Sequence, residues 1–138
     1  MNVDPFSIAQ HPDWEFVPGG RVPSLMRVGR SNNNALQLSL NWNPSGVPLN
    51  PRPKPLEVAN VLAKNMGAHV ETHSEGTCLA GEYARVVYTT PRLAYGEAWI
   101  ITDGIHLFVA TYSCDAPPTS GELVEVADMV KSAVWPEV

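Results

Sequence analysis

The residues best suited to chemistry lie in one short stretch, HVETHSEGTC, which starts at His69. His69, Glu71 and His73 are spaced two residues apart, so on a β-strand their side chains would project from one face. A turn at residues 75 and 76 would set His73 opposite Cys78, which adds sulfur to the nitrogen and oxygen ligands that zinc accepts. The competing interpretation is a solvated hairpin in which polar residues alternate, and the spacing leaves both open.

Catalysis at this stretch would need more groups than the hairpin supplies. Without a metal, Cys78 and His73 could form a thiolate pair, but no third catalytic member or oxyanion site accompanies them. No glycine-rich phosphate loop is present, since Gly19 and Gly20 precede a strand rather than a helix. We therefore predict no catalytic residue, no metal and no cofactor. A metal-binding or cysteine-dependent enzyme remains the alternative hypothesis.

Composition narrows the classes of partner. The 138 residues, 44% of them hydrophobic, are enough for one core, so we predict a single domain over residues 1–138. The 9 Lys and Arg against 14 Asp and Glu give a net charge of −5 without any basic run, which argues against nucleic acid. The sequence contains no leader-like or membrane-spanning apolar segment. We therefore predict a cytoplasmic protein that does not bind membranes.

Hydrophobic periodicity predicts the elements that would position these residues. One helix begins at Pro55 and carries an apolar stripe to Met66. A second follows the T-x-x-E capping box of Thr119 and Glu122. The predicted strands are Phe6–Ala9, residues 22–30, residues 35–42, His69–Ser74, Leu79–Thr90 and the two arms of a hairpin around Asp103.

Three segments are predicted to lie between these elements. Trp14 falls in a turn region rich in proline and glycine, and Ser31–Asn34 suits a tight turn because asparagine tolerates positive φ. The stretch NPSGVPLNPRPKP, residues 43–55, is too rich in proline to pair as a strand. We expect it to form a surface loop, and it is a candidate for contact with a partner.

The hairpin YGEAWIITDGIHLFVATYSC is apolar on both faces. A two-residue turn at Asp103 and Gly104 would fix its register. The predicted pairs are Thr102 with Ile105, Ile100 with Leu107, Trp99 with Phe108, and Tyr95 with Tyr112. One face is then small and aliphatic and the other is aromatic. The same register places Cys78 and Cys114 at opposite ends of the sheet, which excludes a disulfide between them.

The aromatic face has two interpretations. Either a helix and the N-terminal segment cover it as core, or part of it stays open to a partner. Arg85 would be buried next to this face unless it pairs with Glu97 or stacks on Trp99. If the face is open, it provides the residue types that dominate interfaces. The predicted binding residues are Arg85, Tyr95, Trp99, Phe108 and Tyr112.

The order of elements, with three short motifs, resembles the PsbP-like group. The motifs are HPDW at His11–Trp14, a G-x-x-A step at Gly81–Ala84 and TYSC at Thr111–Cys114. The group includes the Ran-binding Mog proteins, the DcrB-like bacterial proteins and the effector chaperones of type VI secretion. The resemblance implies an α+β fold, an α/β/α sandwich in which helices pack on both faces of an antiparallel sheet of about six strands. It also implies binding rather than catalysis.

We therefore predict a bacterial, non-catalytic protein-binding domain of the immunity-protein, chaperone or adaptor type. Its partner would be another protein, and the acidic charge makes a basic toxin or effector one candidate. Two alternatives stay open, namely the His69–Cys78 metal or cysteine site and a small-ligand carrier with a pocket between the aromatic face and a helix.

Overall fold

The computed structural model describes residues 2–3, 6–17, 22–29, 34–42 and 45–135. An antiparallel sheet of seven strands forms the middle layer, with one helix packed on each face. The predicted α+β fold class is confirmed, with one strand more than expected in the sheet. The elements are β1 (Asn2–Val3), β2 (Phe6–Ser7), β3 (Trp14–Val17), β4 (Ser24–Arg27), β5 (Asn34–Trp42), α1 (Pro55–Asn65), β6 (His69–Cys78), β7 (Gly81–Thr89), β8 (Tyr95–Thr102), β9 (His106–Cys114) and α2 (Ser120–Lys131).

The strand order in the sheet is β3-β4-β5-β9-β8-β7-β6, so β3 and β6 form its two edges. Strands β1 and β2 pair with each other as a separate ribbon. The prediction that Trp14 lies in a turn is wrong, because Trp14–Val17 pairs with Ser24–Arg27 as an edge strand. The turn predicted at Ser31–Asn34 falls mostly outside the described residues, and Asn34 already belongs to β5.

Helix α1 covers the small aliphatic face of the sheet. Proline at position 55 begins the helix, and Gly67 follows its C-terminus with φ of +67°. Fully buried aliphatic and small residues form the contact with β7 and β8, and the buried Tyr88 ring lies directly over Gly96, where a Cβ atom would clash with it. The buried members of this cluster are Ala59, Val86, Tyr88, Ala98 and Ile100.

Helix α2 covers the aromatic face. Thr119 caps its N-terminus by accepting the backbone N–H of Glu122 at 3.2 Å, as the capping box predicts. The apolar stripe of the helix packs on the aromatic residues of β8 and β9, and the N-terminal segment contributes Phe6, Ile8 and Trp14 to the same cluster. None of the helices in the described part of the chain is long and apolar enough to cross a membrane.

The β8–β9 hairpin has a longer loop than predicted. Its observed pairs include Thr102 with Leu107, Trp99 with Ala110 and Tyr95 with Cys114, so the predicted register is wrong by two residues. The cause is local: Asp103 Oδ1 accepts the backbone N–H groups of Ile105 and His106, at 2.9 and 2.8 Å. Because a shift of two keeps every side chain on its predicted face, the two faces are as expected. Cys78 and Cys114 do lie at opposite ends of the sheet and form no disulfide.

The proline-rich loop is held against the same hairpin over its described residues, 45–54. The backbone N–H of Leu49 donates to the carbonyl of Gly104 at 2.8 Å. Arg52 binds Glu82 of β7 at 2.7 Å and lies 3.4 Å from the Asp103 carbonyl. These contacts anchor the loop across the end of the sheet.

Candidate functional site

The metal site of the alternative hypothesis, His69 to Cys78, is not assembled in the described structure. Strand β6 runs unbroken to Cys78 and the turn lies at residues 79 and 80, so His73 pairs with Val86 instead of facing Cys78. A bulge after Val70 turns His69 and His73 to opposite faces of the sheet. Cys78 is five residues beyond His73, about 16 Å along the strand. The geometry therefore removes the basis for zinc ligation and for a Cys78–His73 thiolate pair.

Three of the five predicted binding residues belong to the core. Trp99 is 2% exposed, and Phe108 and Tyr112 are fully buried in the cluster that includes α2 and the N-terminal segment. A surface role for Phe108 and Tyr112 would require this cluster to open, whereas Trp99 still lines a surface groove. Helix α2 packs on the aromatic face, and the space described between the helix and that face is a surface groove at the margin of the helix. Arg85 and Tyr95, in contrast, are partly exposed at the margin of the helix.

Tyr112 has a structural hydrogen-bond network of its own. Its hydroxyl accepts from Asn34 Nδ2 and donates to Glu122 Oε2, each at 3.0 Å. Burial raises the pKa of Tyr112 far above its ordinary value. The network ties β5, β9 and the first turn of α2 together beneath the surface.

Arg85 forms both of the contacts that the sequence suggested. Its Nε donates to Glu97 Oε2 at 2.5 Å, and its guanidinium carbon lies 5.6 Å from the Trp99 ring centre. Its Nη2 also donates to the Tyr95 hydroxyl at 3.1 Å. Trp99 Nε1 donates to the same Glu97 oxygen at 3.3 Å. The pair therefore fixes Arg85 across β7 and β8, while 25% of its side chain stays exposed.

Glu97 is the buried partner of this pair, with no exposed surface. Burial raises its pKa, and the attraction and hydrogen bond of Arg85 only partly offset that effect. Burial acts on Arg85 as well, but the charge and hydrogen bond of Glu97 outweigh it and keep the pKa of Arg85 above its ordinary value. Removal of Arg85 would leave a carboxylate buried without a counter-ion.

A surface groove of about 280 Å³ runs beside this pair, between α2 and the part of the sheet that α2 leaves uncovered. We call it the α2 groove. Its floor comes from β6, β7 and β8, and its wall comes from one side of α2. The lining residues are Ser74, Tyr83, Arg85, Trp99, Leu123, Val124, Ala127 and Lys131.

The α2 groove combines two cations with two aromatic rings. Lys131 Nζ lies 5.2 Å from the ring centre of Tyr83 and 5.8 Å from that of Trp99. None of the lining residues is acidic. The wall is apolar, and its Val124 side chain is 60% exposed. Such a surface can hold an anionic group next to an apolar one.

Sequence reasoning missed the helical half of this groove. Leu123, Val124, Ala127 and Lys131 recur at the spacing of one helix face, and Val124 lies beside the buried stripe as an exposed apolar residue. That exposed valine is the signal that could have identified the wall. Which strands face it depends on how far α2 extends across the sheet, and no local pattern encodes that distance.

A second polar cluster lies on the other side of α2, around the HPDW motif. Arg27 donates to both oxygens of Glu125, at 2.9 and 3.3 Å, and Trp14 Nε1 donates to the same carboxylate at 3.0 Å. The hydrogen bond from Arg27 holds the pKa of Glu125 below its ordinary value. His11 and Asp13 lie close enough to offer further metal ligands. Arg27 already neutralises Glu125, however, so the cluster is an ion-pair network.

Comparisons with known proteins identify the fold. No protein-family model and no curated protein matches the sequence. The solution structure of cyanobacterial PsbP (CyanoP) from Synechocystis sp. PCC 6803 matches with a TM-score of 0.63 and 12% identity, over 96% of this chain and 87% of that one. A crystal structure from Bacteroides thetaiotaomicron VPI-5482 has a TM-score of 0.48 and 12% identity, over 99% of this chain and 48% of that one. The match to cyanobacterial PsbP shows that the chain has a PsbP-like fold.

Proposed function

We propose that this chain is a non-catalytic domain that binds another protein, as an adaptor, chaperone or immunity protein of the bacterial cytoplasm. The observation that carries the proposal is the α2 groove. It exposes parts of Arg85, Tyr83 and Lys131 next to the apolar wall at Val124. Arginine, tyrosine and tryptophan are the residue types that contribute most to protein interfaces.

The neighbouring edge of the sheet supports the same function. Strand β6 is ten residues long and mostly exposed, and among the described strands it pairs with β7 only. An edge strand of this kind presents backbone N–H and C=O groups to a second chain. The floor of the α2 groove ends at this edge, because Ser74 of β6 lines it. A partner would therefore find side-chain and backbone contacts in one place.

Native mass spectrometry of the protein isolated gently from its own host tests the proposal. We expect an adduct of protein size. Val124→Glu should abolish it, because the substitution places a charge on the apolar wall of the groove. Val61→Glu is the matched control, since Val61 is 57% exposed on α1 and lies outside the groove.

Four other outcomes would contradict the proposal. A zinc-sized adduct would favour a metal-binding function, and an adduct of a few hundred daltons would favour a small-ligand carrier. Loss of the protein adduct in both valine variants would place the interface elsewhere. A bare wild-type monomer, at concentrations that preserve micromolar complexes, would also count against it.

A further inference from the structure

The charge of the α2 groove differs in sign from that of the whole chain. The protein carries a net charge of −5, yet the groove is lined by Lys131 and Arg85 and by no acidic residue. Within the described part of the chain, Lys131 forms no salt bridge. Arg85 is offset by Glu97, so Lys131 supplies the uncompensated positive charge.

The rings of Tyr83 and Trp99 hold the positive charge of Lys131 at the groove. Lys131 lies over both Tyr83 and Trp99, and Arg85 lies over Trp99 as well. Each ring attracts the cations through its negative face without neutralising them. A carboxylate entering the groove would therefore meet the charge of Lys131, which forms no salt bridge with a described carboxylate.

The shape of the site suits an extended chain. The apolar wall at Val124 runs along one side, and the open edge of β6 lies on the other. A strand placed beside β6 would point alternate side chains toward the groove. Glu75 of β6 would not repel an acidic segment in the groove, because it pairs with the buried Ala84 and lines the opposite face of the sheet.

We infer that the α2 groove binds an extended, acidic segment of the partner protein, in which carboxylates pair with Lys131 and Arg85 and an apolar side chain packs on Val124. The inference rests on the proposed protein-binding function and specifies the chemistry of the partner. It differs from the sequence-based expectation of a basic toxin or effector, which would have to bind outside the groove.

A charge-reversal experiment tests this inference. A phage-displayed library of random twelve-residue peptides is selected against the wild type, Lys131→Glu and Lys64→Glu. Lys64 is the matched control, because it lies in the last turn of α1 as Lys131 lies in the last turn of α2. We expect the wild type and Lys64→Glu to enrich peptides with Asp or Glu next to apolar residues. Lys131→Glu should bind those peptides about tenfold more weakly in fluorescence anisotropy, and Lys131→Arg should retain binding.

Circular dichroism of each variant establishes that it is folded before binding is compared. Enrichment of basic peptides, no enrichment, or equal binding by Lys131→Glu and the wild type would each overturn the inference. These results are separable from failure of the proposed function. If the adduct from the host persists in the wild type and is lost in Val124→Glu, the protein-binding function stands and only the acidic segment is wrong.

Discussion

Both sides of α2 carry charged and aromatic residues, but their charged groups have different partners. On one side, Glu125 is clamped by Arg27 and Trp14, and the N-terminal segment closes over it. On the other side, Lys131 lies over Tyr83 and Trp99, and no described segment covers it. We call these the closed side and the open side. Charge on the closed side is paired within the chain, whereas Lys131 on the open side forms no salt bridge with any described residue.

The two sides also contain carboxylates with opposite pKa shifts. Glu125 on the closed side has a lowered pKa, mainly because Arg27 donates hydrogen bonds to its charged form. Glu97 beneath the open side has a raised pKa, mainly because burial penalises its charged form. The two Arg–Glu pairs thus respond differently to pH, since Glu97 is fully buried whereas Glu125 is partly exposed.

The largest expected effect comes from Arg85→Ala. It should lower the free energy of unfolding by about 3 kcal/mol at pH 7, because Glu97 would be left charged and buried. The raised pKa of Glu97 means that the folded state binds its proton more tightly than the unfolded state does, so stability falls as pH rises above about 4.5. Without Arg85 that fall is steeper. Urea unfolding at several pH values should therefore show that the loss of unfolding free energy caused by Arg85→Ala becomes smaller as pH is lowered toward 4.5.

The double variant Arg85→Met, Glu97→Gln controls for this prediction. It removes both charges, so we expect it to recover most of the lost stability at pH 7. If Arg85→Ala is as stable as the wild type, or loses the same stability at every pH, then Arg85 does not stabilise the charged form of Glu97.

A smaller effect of opposite pH dependence is expected on the closed side. Glu125→Gln should cost about 1 kcal/mol at pH 7, because it weakens charge-assisted hydrogen bonds in a partly exposed pair. With a lowered pKa, Glu125 contributes its stability above about 4.5, and the contribution is lost as pH falls further. The wild type and variant should therefore converge in acid when their urea midpoints are compared.

Glu57→Gln is the matched control for that measurement. Glu57 is exposed on α1 and lies 3.9 Å from Lys54, so its replacement should change stability by less than about 0.5 kcal/mol. If Glu57→Gln costs as much as Glu125→Gln, the closed side has no special stabilising role.

The smallest effect on stability is expected on the open side. Lys131→Glu and Lys64→Glu should each cost about 1 kcal/mol or less, since both replace an exposed lysine in the last turn of a helix. Thermal unfolding of the two variants measures this directly. A much larger loss for Lys131→Glu would mean that the cation contacts hold α2 in place and do not serve a partner.

Much of the fold could be predicted because local patterns and long-range packing agree. The alternation of side chains along β8 and β9 predicts the correct face for each residue, and the Thr119 cap predicts the start of α2. The hairpin register could not be predicted, because the Asp103 side chain captures two backbone N–H groups and lengthens the loop. The turn after β6 was also misplaced, since Glu75 and Gly76 continue the strand through pairing with β7.

The site was predictable only in its sheet half. Arg85, Glu97 and Trp99 meet through strand pairing, which the sequence indicates once the faces are sorted. Lys131 and Val124 reach the same place through the position of α2 on the sheet, which is set by the packing of large side chains in the core. The burial of Phe108 and Tyr112 has the same cause. Whether the aromatic face is covered depends on contacts between elements that are far apart in the chain, so the sequence left both interpretations open.

Site-specific photo-crosslinking in host cells tests the central claim, that the open side of α2 is the interaction surface. A photoreactive phenylalanine analogue is placed at position 124 on the open side, and at position 61 on α1 as the control. We expect one discrete protein adduct from position 124 alone, with an acidic segment at the cross-linked site when the adduct is sequenced. Equal adducts at both positions, no adduct at position 124, or a basic cross-linked segment would contradict the account.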